Sequence, residues 1–263
     1  MPFEPSISFI GAGNLAWHLA PAFDNSGYAV KEVFSPNPKH AEDLTERLYQ
    51  AEVKATLDFS TSDSRIFIIA VSDNVIKQVA QEIILPDEAL LVHTSGSVAV
   101  EELNFAAAAA SGVFYPLQTF SKNRKADFKN LPIFVEANMP EAEEVLFEMG
   151  RALGGNIQKM DSQQRAALHL TAVFASNFTN HMITLSSQLA EQHNIPFDWL
   201  KPLIRETIEK NLSLGPMQSQ TGPARRGDLE ILDKHIELLK ENEKVAEIYR
   251  LISQHIMDVH QPE

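Results

Sequence analysis

A glycine pattern near residue 10 constrains the fold of this chain more than any other feature. A short run of β-branched and aromatic residues, 6–10, leads into Gly11-Ala12-Gly13-Asn14-Leu15-Ala16, and a helical pattern follows at once. Strand, Gly-x-Gly-x-x-Ala turn and helix start together form the opening of a dinucleotide-binding βαβ unit. Gly11 allows the tight turn, Gly13 lets a pyrophosphate approach the backbone, and the N–H groups around Asn14 and Leu15 would bind the phosphates. The alternative is a tight strand–helix turn without a ligand.

The alternation of strand and helix patterns predicts the rest of the fold. Up to about residue 159, strand patterns alternate with helical ones, which is typical of an α/β domain with a Rossmann-type, doubly wound parallel sheet. The short Ala-rich run 106–110 is expected to belong to a helix. From residue 160 onward the chain reads as helix or loop. We therefore predict a nucleotide-binding domain over 1–159 and an all-α dimerisation domain over 160–263. Predicted helices there cover 162–193, a segment after Pro196, 229–240 and 243–259.

Composition excludes several classes of function. The formal net charge is −13, which argues against a nucleic-acid partner because such binding needs a basic face. The chain contains no cysteine, so disulfides, thiolate catalysis and zinc–thiolate sites are excluded. The histidines are too scattered in sequence to indicate a metal site. Hydrophobic and charged fractions of 44% and 22% are those of an ordinary globular protein.

One long segment, residues 166–190, contains no charged side chain and could span a bilayer by length alone. It carries many polar residues, however, so we expect no membrane partner. A helix covered by protein on most sides is the better interpretation, and such helices often form subunit interfaces, which predicts a homodimer. The N-terminal apolar residues lack a basic leader and are expected to form a strand, which favours a cytoplasmic location.

The residues after the second predicted strand indicate which dinucleotide binds. Enzymes that prefer NAD place a carboxylate at the tip of this strand, and here none occurs. Ser35 and Asn37 could donate hydrogen bonds to a 2′-phosphate, and Lys39 or His40 could add positive charge. We therefore predict NADP as the cofactor, with Ser35 and Lys39 at the 2′-phosphate and NAD less favoured. Alternatively, Lys39 and His40 only lie at a solvated helix start.

Other polar residues are candidates for chemistry beyond the carboxyl ends of the strands, where ligands of open α/β sheets bind. Ser72 and Ser95 follow two predicted strands and are expected near the ribose and nicotinamide. His169 lies on the long uncharged helix and is a candidate proton donor, because histidine titrates near neutrality. Its alternative role is in a buried polar network between subunits.

Further along the chain, three residues are candidates for binding a small carboxylate-bearing substrate. Asn177 lies two helical turns beyond His169, and Thr221 and Arg226 flank a Gly/Pro-containing break between helices. An arginine can hold a carboxylate or phosphate through two parallel hydrogen bonds. The alternative for the break is a plain helix–helix connector.

The chain resembles a family of uncharacterised bacterial two-domain proteins that join a Rossmann-like domain to a helical domain of unknown function. The resemblance rests on segments 11–16, 93–97 and 116–120, on His169 with residues 174–178, and on residues 221–223 with 226–228. The family is similar to pyrroline-5-carboxylate reductase, prephenate dehydrogenase and the deazaflavin-dependent NADP reductases. This kinship implies a helical domain that dimerises and completes an active site. The Lys–Asn pair of β-hydroxyacid dehydrogenases is missing, because Val173 stands four residues before Asn177.

The expected function is that of an NADP-dependent oxidoreductase, which transfers hydride between nicotinamide and a small carboxylate-bearing substrate. Two alternatives stay open. The first is a sensor or scaffold that binds NADP without turnover, since a Rossmann fold does not by itself imply catalysis. The second is a reductase that exchanges hydride with a deazaflavin.

Overall fold

The computed structural model describes residues 5–260. The chain divides between Ser176 and Asn177 into two compact units. The sequence predicts the boundary earlier, at residue 160, where the last strand ends. The first unit extends further because the helix after that strand carries Arg165, which is buried against elements of the sheet domain.

The first unit is an eight-stranded sheet. It has helices on both faces, which is the doubly wound arrangement that the sequence predicts. The strands are β1 Ser6–Ile10, β2 Ala29–Phe34, β3 Glu52–Lys54, β4 Ile66–Ile69, β5 Leu90–His93, β6 Ala110–Pro116, β7 Pro132–Ala137 and β8 Asn156–Lys159. The helices are α1 Ala16–Asp24, α2 Pro38–Thr45, α3 Asp73–Glu82, α4 Pro140–Ala152 and α5 Ser162–Ala172, with a 3₁₀ helix at Val100–Phe105. The strand order is β3-β2-β1-β4-β5-β6-β7-β8.

Three details differ from the sequence-based prediction. β7 pairs with β6 in antiparallel direction, so the sheet is parallel only up to β6 and again between β7 and β8. The short edge strand β3 was not predicted, since three residues are too few for a periodic pattern. The helix expected at 106–110 is wrong: the preceding 3₁₀ helix ends at Phe105, and Ala110 begins β6.

Alternating side chains of the central strands fill two separate cores, one on each face of the sheet. In β4, Ile68 belongs to the core under α1, α2 and α4, whereas Phe67 and Ile69 belong to the core under α3. All residues of this strand are buried. A continuous apolar run is therefore what a central parallel strand requires, because both of its faces are covered.

The second unit is helical. Its elements are α6 Thr179–Gln192, a 3₁₀ turn Phe197–Leu200, α7 Lys201–Leu214, α8 Pro216–Ser219, α9 Pro223–Arg226, α10 Leu229–Leu238 and α11 Glu243–Val259. The predicted helix 162–193 is interrupted by the π-helical segment Val173–Phe178, which separates α5 from α6. Asn242 caps α11 as its sequence position suggests, accepting a hydrogen bond from the backbone N–H of Val245 at 3.3 Å.

Several large apolar side chains of the uncharged segment 166–190 are exposed. Leu170 and Phe174 are 58% and 62% exposed, and Phe178 is 48% exposed. The sequence predicts burial on most sides, and the exposure of these three side chains differs from that expectation. Among the residues the structure describes, no helix has the length and apolar character needed to cross a bilayer.

Candidate functional site

A pocket of about 460 Å³ opens where the first strands of the parallel sheet end. Four loops line it, each leaving the carboxyl end of a strand, and this is the edge at which open α/β sheets bind ligands. The lining residues are Gly11, Ala12, Gly13, Asn14, Leu15, Ser35, Pro36, His40, Ala70, Val71, Ser72, Asp73, Val75, Thr94 and Ser95. Seven of the eight predicted cofactor-binding residues are among them, and Lys39 is the exception.

The glycine turn has the geometry that its sequence requires. Gly11 adopts φ +113° and donates its N–H to the carbonyl of Phe34 at 2.8 Å, which ties the turn to β2. A Cβ atom on Gly11 would lie 2.4 Å from the carbonyl oxygen of Ala70. At Gly13 the nearest atom to such a Cβ would be 3.9 Å away, so the space there belongs to the pocket. Gly11 is thus needed for folding, and Gly13 keeps an approach to the backbone open.

The turn after β2 brings Ser35 and His40 to the pocket. Asn37 holds the turn together: its side-chain oxygen accepts the N–H of Lys39 at 3.2 Å, capping α2, and its Nδ2 lies 3.4 Å from His40 Nε2. Ser35 Oγ accepts the N–H of Asn37 at 3.3 Å. Lys39 is exposed on the first turn of α2. The imidazole of His40 is thus the basic side chain that lines this end of the pocket.

The loops after β4 and β5 are joined by a charged hydrogen bond at the other end of the pocket. Asp73, in the first turn of α3, accepts a hydrogen bond from Ser97 Oγ at 2.5 Å. Ser95 Oγ accepts the backbone N–H groups of Ser97 and Val98 at 3.1 and 3.0 Å, which gives the second loop its shape. Ser72 precedes α3 and lines the pocket without a capping hydrogen bond of its own.

His169 lies beside the same loop, in contact with Tyr115 at the end of β6. The Tyr115 hydroxyl and His169 Nδ1 are 3.1 Å apart, and the two rings meet edge to face. Gly96 permits this arrangement, because a Cβ there would lie 2.6 Å from Nδ1 and 2.7 Å from the tyrosine ring. Burial, and then the charge of Asp73, raise the pKa of Tyr115 above its usual 10.0. Tyr115 therefore stays protonated at neutral pH and can donate to the histidine.

Arg165, one helical turn before His169, anchors α5 to the sheet. Its guanidinium is 1% exposed, forms an ion pair with Glu136 of β7, and donates to the carbonyl of Val98 at 2.6 Å and to Ser162 Oγ at 3.1 Å. The Glu136 carboxylate also accepts the N–H and hydroxyl of Ser162 at 3.1 and 2.8 Å. The network joins β7, the loop after β5 and the start of α5, and so positions the element that carries His169.

His93, the last residue of β5, is fully buried next to this network. Burial, followed by the charge of Arg165, lowers its pKa from 6.5 to about 3. The imidazole is therefore neutral, and its Nδ1 accepts the N–H of Ser95 at 3.1 Å. Its Nε2 has no partner of normal geometry among the described residues. We assign His93 to shaping the loop.

The three predicted substrate residues lie in the second unit. Asn177, Thr221 and Arg226 are all exposed. Arg226 ends the short helix α9, which is bounded by Gly222 at φ +104° and Gly227 at φ +68°. Their role in substrate binding stays a prediction.

No sequence pattern indicated a role at the site for Tyr115, Gly96 or Arg165. Tyr115 stands only at the start of a predicted loop, and Arg165 belongs to an ordinary helix start. One signal for Arg165 was available, since a lone arginine directly before a long uncharged segment needs a partner when it is buried.

Two family descriptions match different parts of the chain. Residues 6–96 match the family described as NADP oxidoreductase, coenzyme F420-dependent. Residues 131–256 match a domain of unknown function, DUF2520. No match is found among curated proteins.

Several solved structures are similar over almost the whole chain. A Thermotoga maritima protein is 20% identical, with a TM-score of 0.76 over 97% of this chain and 100% of that chain. A reductive aminase from Aspergillus terreus, solved with NADPH and ethyl levulinate, is 16% identical, with a TM-score of 0.70 over 97% and 93% of the two chains. At sequence identities this low, the similarity shows a shared fold.

A Bacteroides fragilis protein described as a "putative NADP oxidoreductase" is more similar. It is 37% identical, with a TM-score of 0.89 over 97% of this chain and 98% of that chain. Identity at this level over nearly both full lengths shows common family membership. The chain therefore belongs to the same family as the Bacteroides fragilis protein, a family that joins an NADP-oxidoreductase-type Rossmann domain to a DUF2520 domain.

Proposed function

We propose that this protein is an NADP(H)-dependent oxidoreductase that transfers hydride between nicotinamide and a small carboxylate-bearing substrate. The observation that carries this is the pocket at the sheet edge, where the glycine turn, Ser35, His40, Ser72 and Ser95 converge. The free N–H groups at the start of α1 suit a pyrophosphate, and no carboxylate from the β2 turn lines the pocket to bind a ribose hydroxyl. The family description at residues 6–96 supports the same cofactor.

The chain's own residues would supply the proton. NADPH, if held in the pocket, would supply the hydride for the carbon of a C=O or C=N group. His169, in its imidazolium form, would donate its Nε2 proton to the oxygen or nitrogen and return to the neutral imidazole, while the Tyr115 hydroxyl, 3.1 Å from Nδ1, orients the ring. Arg226, with Thr221 and Asn177, would hold the substrate carboxylate.

Replacing His169 by glutamine tests this mechanism. We expect kcat for NADPH oxidation to fall on the order of 100-fold, because a positioned proton donor contributes at least that much. The dissociation constant for NADPH should stay the same. The measurement is a spectrophotometric screen of 2-oxo acids and carboxylate-bearing imines, followed by calorimetry with NADPH.

Tyr115→Phe serves as the matched variant in the same assay. It keeps the ring packing and removes only the hydrogen bond to Nδ1, so kcat should fall less than in His169→Gln. An unchanged rate in His169→Gln would show that another group donates the proton. NADPH binding with no oxidation by any substrate class would favour the sensor alternative.

A second candidate follows from the description of the family matched at residues 6–96, which names coenzyme F420. In that case the reaction is hydride exchange between a reduced deazaflavin and NADP. Mixing the protein with reduced F420 and NADP, and following absorbance of both cofactors, distinguishes this exchange from reduction of a small substrate.

We further propose that the protein is a homodimer formed through its helical unit. On α7, Ile208 and Leu212 lie one helical turn apart on the same face and are 43% and 83% exposed, and a contiguous exposed apolar patch marks an interaction surface. Light scattering after size exclusion should give twice the 29.3 kDa of one chain. Leu212→Glu is expected to yield monomers and Glu206→Gln, on the same helix, to leave the dimer intact. A monomeric parent protein would contradict the proposal.

A further inference from the structure

We propose that His40 makes the choice between a 2′-phosphate and a 2′-hydroxyl dependent on pH, so that preference for NADPH over NADH weakens as pH rises. The inference rests on the proposed function and concerns the same pocket. It assigns cofactor discrimination to a titratable side chain instead of a permanent cation.

The turn after β2 carries two basic residues in sequence, Lys39 and His40. Both side chains are exposed, but His40 lines the pocket together with Ser35 and Pro36, and Lys39 does not. No arginine or lysine is among the residues that line this pocket. Among the residues that line the pocket, His40 is therefore the one whose side chain can bring positive charge to a 2′-phosphate.

Asn37 holds the ring of His40. The Nε2 atom of His40 lies 3.4 Å from Nδ2 of Asn37, the residue that caps α2, so the neutral ring accepts a long hydrogen bond from the amide. Protonation turns Nε2 into a donor, which ends that contact and frees the N–H for an anion. Ser35, on the other side of Pro36, keeps its hydroxyl proton available, because its Oγ acts as the acceptor for Asn37 N–H.

The other charged groups around His40 do not supply a cation to the pocket in its place. On its own helix Lys39, Glu42 and Asp43 are close in sequence. On the strands that α2 packs against, Glu32 of β2 and Lys54 of β3 pair with each other at 3.1 Å, and Lys31 and Glu52 complete the set. Across the pocket Asp73 is hydrogen-bonded to Ser97. None of these supplies a cation to the pocket lining.

The expected sign follows from charge. Histidine changes charge between about pH 5 and 8, and a cation attracts a phosphate much more strongly than a hydroxyl. The phosphate itself gains charge as pH rises through about 6, which acts in the opposite direction and strengthens NADPH binding. A preference for NADPH that falls with rising pH would therefore be caused by loss of charge on the histidine and not by ionisation of the phosphate.

Calorimetric titration with NADPH and NADH, at constant ionic strength, tests the inference. We expect the ratio of the dissociation constant for NADH to that for NADPH to fall about tenfold between about pH 6.5 and about pH 8.5. In His40→Gln the preference should be weaker at the lower pH and should no longer fall. In His40→Arg, which carries a permanent cation, it should persist at both pH values. His18→Gln, a histidine outside the pocket lining, should keep the parent's dependence.

Two results would overturn the role of His40. One is a ratio of dissociation constants that does not change with pH in the parent protein, and the other is a His40→Gln variant whose ratio changes with pH as the parent's does. Lys39→Gln identifies the alternative cation if it alone removes the preference for NADPH. Failure of both dinucleotides to bind the parent protein overturns the proposed function itself, and is thereby distinguished from failure of the pH dependence.

Discussion

Alanine at Gly13 is expected to weaken dinucleotide binding strongly without loss of stability, whereas alanine at Gly11 should damage both. The added Cβ at position 13 has 3.9 Å to its nearest neighbour, so the folded chain accommodates it and only a ligand pyrophosphate is excluded. At position 11 the Cβ would lie 2.4 Å from the Ala70 carbonyl, on a backbone with φ +113°. Strain and overlap together should cost about 3 kcal/mol of unfolding free energy.

Calorimetry with NADPH and urea denaturation measure the two effects separately. For Gly13→Ala we expect affinity to drop on the order of 100-fold, equivalent to about 2.7 kcal/mol. Gly27→Ala is the matched control for backbone strain, because Gly27 has φ +92° with nothing within 4 Å of an added Cβ. It should lose about 1 kcal/mol of stability and keep its affinity. Tight NADPH binding by Gly13→Ala would refute the placement of the pyrophosphate.

Removing the Arg165 side chain is expected to have the largest effect on stability outside the glycine turn. Arg165→Met leaves the Glu136 carboxylate, which is 15% exposed, without its cation and releases the carbonyl of Val98. Breaking a buried ion pair by removing one partner typically costs about 3 kcal/mol or more. Urea denaturation followed by far-UV circular dichroism measures the change.

Arg151→Met is the matched control for that substitution. Its ion pair with Glu144 is exposed on both sides, at 59% and 64%, so its loss should change stability by at most about 0.5 kcal/mol. The double variant Arg165→Met, Glu136→Leu should recover part of the loss, since it removes the unpaired charge. Equal effects of Arg165→Met and Arg151→Met would show that the buried network does not anchor α5.

Much of the fold could be predicted because its signals are local. The start of the βαβ unit depends on a glycine pattern within eleven consecutive residues, and the apolar run that forms β4 needs no partner to be recognised as a central strand. The pocket at the sheet edge followed from the same rule, because parallel strands present their carboxyl ends at one edge. Ser35, Ser72 and Ser95 therefore converge as expected.

The remaining features depend on pairings between residues distant in sequence. Tyr115 and His169 are 54 positions apart, and their contact requires β6 to end beside α5 with Gly96 between them. The reversal of β7 against β6 likewise depends on which sheet edge the chain reaches, and no local pattern encodes it. Backbone geometry at each turn is a property of the residues in that turn. Strand register and helix docking decide which side chains meet at the site. They bring together residues that are far apart in sequence, so no local pattern predicts the contact.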